Sequence, residues 1–350
     1  MKMEALVTFG RFSNIERIMK LRGWMLGMLL GWWAPLWAQD ELDQIIEGSV
    51  QDANYLMQGY AAPLLKALGY GLNQAWYNSA RPHKLGGFDI TVTASPVYYS
   101  AGDEFYTVDN TQLTNLQLTD PSDGIVPTIL GPDDVDPVYL NTQTGFTVNG
   151  PSGIDPKKLI GIKAVPVPMV QAGIGLPKGT EVKVRFFPQS EAGERTQYRF
   201  WGAGIQHDIK QYIRPLKPLP IDISILAAYS TYQVRYNVSS ANPDQIADFT
   251  GDTFTVQALG SAKFSVLTVY AGVGYGGSKN SLAMLGSYDF SNPPPLPPTT
   301  VQDPVDVATD VSGFLATMGL RLRFGFIAFH GQYTLQEYNV LTVGFGINFR

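Results

Sequence analysis

The chain has 350 residues, enough for one large domain or two ordinary ones, and its 25 basic and 30 acidic side chains leave a net charge of −5. That balance excludes a nucleic-acid reader, which needs a basic face, and the lack of cysteine excludes a disulfide framework, a zinc–thiolate site and a lipoprotein anchor. Only 16 % of residues are charged, against about 25 % in soluble domains, while Gly (36), Tyr (18) and Phe (18) are abundant and mean hydropathy is −0.03; this excludes a bundle of membrane helices and suits strands whose apolar and polar residues average out.

Lys20 and Arg22 precede an apolar run at 23–34; Pro35-Leu36-Trp37-Ala38 follows, then the polar Gln39-Asp40-Glu41. This is the order of a secretory signal, so residues 1–38 are expected to be an N-terminal extension and signal peptide, with Met19 a candidate start. The apolar core falls short of the ~20 residues of a membrane span, and no later stretch reaches that length. The chain is therefore expected to be exported without a helical anchor.

Residues 39–85 are expected to form a helical plug or hatch. Leu42, Ile45 and Ile46 make a short apolar stripe. Leu56, Tyr60, Leu64, Leu68 and Leu72 recur every four residues, a helical period; with Trp76 they are the candidate plug residues. Pro63 suits the first turn of a second short helix, and Gly69 and Gly71 weaken its end.

From Gly86 onward the period changes to two. Phe88, Ile90, Val92 and Ala94 alternate with Asp89, Thr91, Thr93 and Ser95, and Leu341, Val343, Phe345, Ile347 and Phe349 with Thr342, Gly344, Gly346 and Asn348. One face is apolar throughout; the other is small and polar, as in a lumen where opposite walls meet. About ten strands are predicted, at 86–99, 160–176, 179–189, 196–210, 220–237, 252–262, 266–280, 311–323, 325–335 and 339–350. Each is near the ~10 residues needed to cross a bilayer tilted. Long links (100–159, 238–251, 281–310) alternate with short ones, the asymmetry of outer loops and periplasmic turns. The fold class expected is all-β with short N-terminal helices: a transmembrane antiparallel β-barrel over 86–350. Apolar pieces at 105–108 and 138–140 would raise the count to twelve if they joined the wall. Tyr98, Tyr99, Tyr229, Tyr232, Tyr288 and Tyr338 fall near strand ends, where aromatic girdles sit. The proline-rich stretch 292–300 reads as an exposed loop.

The candidate lumen-lining residues are Asp89, Glu181, Lys183, Arg185, Arg321, Arg323, His330 and Gln332. Charges belong inside because Arg or Lys facing lipid at the midplane costs about 2–4 kcal/mol; there they filter anions, hold the hatch, or brace a narrow barrel. His83, His207 and His330 have no partner at metal-ligand spacing. No Gly-x-Ser-x-Gly elbow is present, and the glycines of 274–279 lack phosphate-loop spacing. No enzyme, metal or cofactor is expected.

Residues 76–89 (Trp-Tyr-Asn-Ser-Ala-Arg-Pro-His-Lys-Leu-Gly-Gly-Phe-Asp), residues 202–210 (Gly-Ala-Gly-Ile-Gln-His-Asp-Ile-Lys) and Leu219-Pro220-Ile221-Asp222 resemble an uncharacterised group of outer-membrane barrels. That group is similar in layout to the long-chain fatty-acid transporters. The resemblance implies an N-terminal hatch inside the barrel and sideways release of a hydrophobic ligand through the wall. The Asn-Pro-Ala hatch motif of those transporters is absent here, and ten strands are fewer than their fourteen, so no ligand-binding residue is carried across. The function expected is a plugged outer-membrane channel of a Gram-negative bacterium, passing a small hydrophobic molecule. Its partners would be outer-membrane lipid and that ligand. The alternative is a non-transporting barrel serving as scaffold, adhesin or subunit of a surface complex.

Overall fold

The computed structural model describes residues 49–192, 195–239, 242–290 and 299–349, with no side chains for 188–192 and 289–290. The signal segment 1–38, the stripe Leu42, Ile45 and Ile46, residue Arg350 and most of the proline-rich stretch lie outside the described residues. None of the described helices is long and apolar enough to cross a membrane.

Ten strands form the wall: β1 (Phe88–Tyr98), β2 (Ala164–Leu176), β3 (Thr180–Ala192), β4 (Thr196–Asp208), β5 (Ile221–Asn237), β6 (Ile246–Phe264), β7 (Leu267–Leu285), β8 (Val305–Phe324), β9 (Ile327–Leu335) and β10 (Val340–Phe349). Each pairs antiparallel with the next, and β10 pairs with β1 to close the barrel. Closure pairs strand edges that hydrocarbon could not solvate. Period two sorts the side chains as the pleat dictates. Phe314 (84 %), Met318 (69 %), Phe186 (65 %) and Val273 (60 %) are among the most exposed residues, while Thr93, Thr317, Gln332 and Asn348 are buried. An apolar outer face of this extent, with polar side chains buried on the inward one, is the reverse of a soluble barrel.

The twelve-strand alternative is corrected. Phe105–Thr107 pairs with Ile125–Pro127, and Val138–Asn141 with Leu116–Asp120 and Thr147–Asn149, in small sheets separate from the wall. The girdle expectation also needs correction. Tyr98 and Tyr229 lie on the outer register, but Tyr99, Tyr232, Tyr288 and Tyr338 are buried in interior clusters. Tyr232 and, one residue past β1, Tyr99 follow the inward register of their strands, whereas Tyr288 and Tyr338 lie outside the wall strands and pack against the interior clusters.

Among the described residues, the start of a second helix expected at Pro63 is corrected: the helix runs through it. Helix α1 (Val50–Leu72) runs 23 residues with Pro63 inside it, capped by Ser49, whose hydroxyl accepts from the Asp52 N–H at 3.0 Å. Pro63 removes the bond to the Gly59 carbonyl and by itself costs about 3 kcal/mol. Burial offsets this: α1 touches β6, β7 and β8 on one side and β1 and β2 on the other, so it lies within the barrel. Gly69 tightens the fit and does not end the helix. A Cβ there would stand 1.9 Å from Ser278 Oγ on β7.

The path of the chain follows from its hydrogen bonds. Asn54 donates to the Pro304 carbonyl at the long-loop end (2.8 Å). Asn73 reaches the Gly277 carbonyl (3.1 Å), Tyr77 donates to Gln257 (3.0 Å), and Arg81 pairs with Asp222 at the short-turn end (3.0 Å). The segment 49–87 therefore descends the whole lumen before β1 begins.

Candidate functional site

Two features of the interior could carry function: the contacts holding the segment 49–87 in the lumen, and a break in the wall beside it. Helix α1 ends in the lumen with no basic residue in its last turn, so its free carbonyls and negative dipole end need a cation from elsewhere. Arg185 on β3 supplies it. Its guanidinium donates to the Leu72 carbonyl (2.9 Å), the Gln74 carbonyl (2.6 Å) and Gln171 Oε1 (3.1 Å), and it lies 3.6 Å from the centre of the Trp76 ring. Below, Trp76 and Tyr77 pack with Leu226, Leu259 and Tyr270. Near the long-loop end, Tyr70 donates to Glu337 (2.6 Å) and Tyr338 to Asp103. Burial, reinforced by the Asp103 carboxylate, pushes the Tyr338 phenol well above its ordinary pKa; it stays a proton donor.

The remaining candidate lumen residues form a charged belt lower down. Glu181 bonds Lys183 and accepts from the His83 N–H (2.8 Å). His83 Nδ1 lies 3.0 Å from Glu181 and 3.9 Å from Asp89, which accepts from Thr91 (2.8 Å). The possible ligand atoms of His83, Asp89 and Glu181 lie within 4.8 Å of one another, a grouping that motif spacing could not reveal. The Lys183 ammonium already bonds Glu181 and supplies the positive charge a metal would bring. Arg321 donates to Asn348, Tyr270 donates to Gln332 (3.2 Å), and His330 is buried beside them. Arg323 is only half-buried, at the short-turn mouth.

Of the candidate plug residues, Leu56, Tyr60, Leu72 and Trp76 are buried; Leu64 and Leu68 are half-buried on α1 and pack against the upper core. Asp52 was missed. It is fully buried, and its carboxylate accepts the N–H groups of Thr114 (2.6 Å), Asn115 (2.8 Å) and Leu116 (3.0 Å), docking the 99–163 connection onto α1. Serine three residues ahead of it marks the helix start, but nothing nearby in sequence marks the loop it holds.

The wall is uneven. β1 pairs with β2 along its whole length, from Phe88↔Ile174 to Tyr98↔Ala164. β3 pairs with β4 up to Ala192↔Thr196. Between β2 and β3, however, the described pairs stop at Gln171↔Arg185, halfway up. Hydrogen-bond parity explains how that edge is tolerated. The Gly175 N–H donates to the Gly87 carbonyl, so odd residues of β2 face β1 and even ones face β3. Pro166 and Pro168 are thus turned to the unpaired side, where neither has an N–H to leave unsatisfied. Pro96 likewise falls where the β1–β10 pairs skip, between Ala94↔Val343 and Val97↔Val340. Behind the break lies an apolar interior: Val167 and Met169 with Phe200 on β4, flanked by Phe187, Leu64 and Leu68. Close by on the outer face, a crevice of about 410 Å³ is lined by Val92, Ala94, Pro168, Phe329 and Phe345.

Solved structures similar to this chain include the attachment invasion locus protein Ail of Yersinia pestis (8 % identity, 76 % of this chain and 99 % of that one, TM-score 0.26). Others are the translocator domain of the autotransporter NalP from Neisseria meningitidis (13 %, 82 % and 94 %, TM-score 0.30) and the beta domain of the Bordetella autotransporter BrkA (8 %, 75 % and 99 %, TM-score 0.32). At these identities and TM-scores the likeness is one of fold alone. No curated protein matches the chain. The match that spans nearly the whole sequence, residues 19–349, is to a family without an assigned activity, and the chain belongs to it: the family of unknown function DUF6588.

Proposed function

We propose that this protein is a plugged barrel of the bacterial outer membrane that passes a small hydrophobic molecule, with exchange between lumen and lipid through the break between β2 and β3. The observation that carries this reading is the coincidence of that break with an apolar interior. A ladder that stops at Gln171↔Arg185 beside Val167, Met169 and Phe200 offers an apolar solute a route that avoids water. An unpaired edge in hydrocarbon costs several kcal/mol per unsatisfied group. A wall with only a structural role would be expected to close it; Pro166 and Pro168 lower the cost of leaving it open.

The chain has no cysteine, so an introduced pair is clean. Met169→Cys with Phe187→Cys would bridge the break at the position the ladder would reach if it continued. Cells producing the wild type should take up the fluorescent hydrophobic probe phenylnaphthylamine faster than cells without it. The oxidised pair should remove that gain, and reduction should restore it. Uptake that is unchanged by the closed bridge would sink the lateral route. The scaffold alternative draws on one observation, the 99–163 connection folded into two small sheets over α1; it predicts no probe uptake in any form.

A further inference from the structure

At the short-turn end the lumen widens into a cavity of about 480 Å³ that no part of the transport reading uses. Five cations line it, Arg81 and Lys84 from the plug and Lys263, Arg321 and Arg323 from the wall, against one carboxylate, Asp222. Arg81 occupies that carboxylate with its Nε 3.0 Å from both oxygens. Among the described residues the other four cations make no salt bridge. Arg321 is more than nine-tenths buried; its Nη2 reaches Asn348, while its Nε has no partner. A buried guanidinium N–H without an acceptor is costly, and the Arg321 side chain that carries it lines the cavity.

We propose that this mouth is a binding site for a small oxyanion of the phosphate class, taken from the aqueous side that the short turns face. The register separates this source from a lipid headgroup. Lys263 and Arg323 share the inward register with buried Ser261 and Arg321. The outward register at this end carries Phe264, Leu322 and Phe324, all exposed. A headgroup outside the wall meets those apolar side chains, whereas a soluble anion entering the lumen meets the cations. Guanidinium forks and ammonium groups converging on one cavity suit an anion with several oxygens. A narrow, low-dielectric mouth strengthens the attraction.

The test is calorimetric titration of the full-length, detergent-purified protein with inorganic pyrophosphate. Saturable binding is expected, weakened by added salt, with about a tenfold loss for each of Arg323→Gln and Lys263→Gln. Both residues sit at the rim, so retention of the folded band in mild detergent checks that the barrel is intact. Arg321→Lys, which keeps the charge and loses the Nε donor, should fall between them and the wild type. The proposal is overturned if pyrophosphate does not bind, if it binds equally to the rim variants, or if only nanodiscs containing phosphatidylglycerol show an Arg323-dependent effect. None of these outcomes bears on the β2–β3 route, which rests on different residues.

Discussion

Arg185 shows how one side chain can hold a segment inside the barrel. Its partners are neutral: two main-chain carbonyls and an amide oxygen by hydrogen bond, and a ring face by stacking. The charge is held by dipoles, the helix end foremost. Replacement by glutamine leaves no buried ion behind, but it strands carbonyls at the C-terminus of α1 and bares one face of Trp76. The loss should be about 2–4 kcal/mol, read as a lower temperature for the folded-to-unfolded band shift in mild detergent. Arg185→Lys should recover less than half of it, because an ammonium cannot fork between two carbonyls while stacking. Equal stability of wild type and glutamine variant would mean that the plug is held elsewhere. Alternation placed Arg185 on the inward face from sequence alone. What it touches did not follow, because Leu72 and Gln74 lie more than a hundred residues away. The same limit applies to His83, Asp89 and Glu181: nothing local marks a loop histidine as the neighbour of two strand carboxylates.

At the scale of the element, the strands were the legible part, because a half-buried wall imposes period two on every segment and lipid punishes each lapse. The β6–β8 side was read too short. β6 begins at Ile246 and β8 at Val305, where the alternation continues with Asp306, Thr309 and Asp310 and resembles loop composition. Helix α1 was misread for the opposite reason. Pro63 and Gly69 are breakers in water, but they are tolerated where surrounding walls supply the packing. The prolines of β2 make a sharper case: read as members of an ordinary strand, they help to mark where its pairing stops. Pro168→Val restores an N–H facing β3 and should extend the ladder past Gln171↔Arg185. The expected results are slower amide exchange at Val170 and several-fold lower phenylnaphthylamine uptake. Stability should be unchanged or higher. Faster exchange at Val170 would mean that the proline ring braces the edge and the break has another cause.

For the whole molecule the question is what an up-and-down barrel of ten strands does with its inside. Eight strands are filled by their own side chains and sixteen leave an aqueous channel; ten fall between, and here a helix takes up the difference. Threaded α1 occupies a cylinder about 10 Å across and, at 1.5 Å per residue, about 34 Å long, close to the ~30 Å hydrocarbon core of a bilayer. Below it, residues 73–87 carry Trp76 and Tyr77 into contact with β5, β6 and β7. The wall facing α1 mixes polar side chains, Ser278, Asn280 and Thr309 among them, with apolar ones such as Val167, Leu282 and Val307, and α1 fills the space between them. Planar-bilayer recordings of the intact protein should therefore show a closed state. Deletion of residues 49–80 should open a stable ohmic pore, and Arg185→Gln combined with Trp76→Ala should give brief openings, because α1 is still tethered to the 99–163 connection through Asp52. If the intact protein conducts steadily, the segment 49–87 leaves a through-path and is a lining rather than a plug. If the deletion folds and stays closed, the wall collapses on itself, and passage through the lumen loses ground to exchange confined to the β2–β3 break.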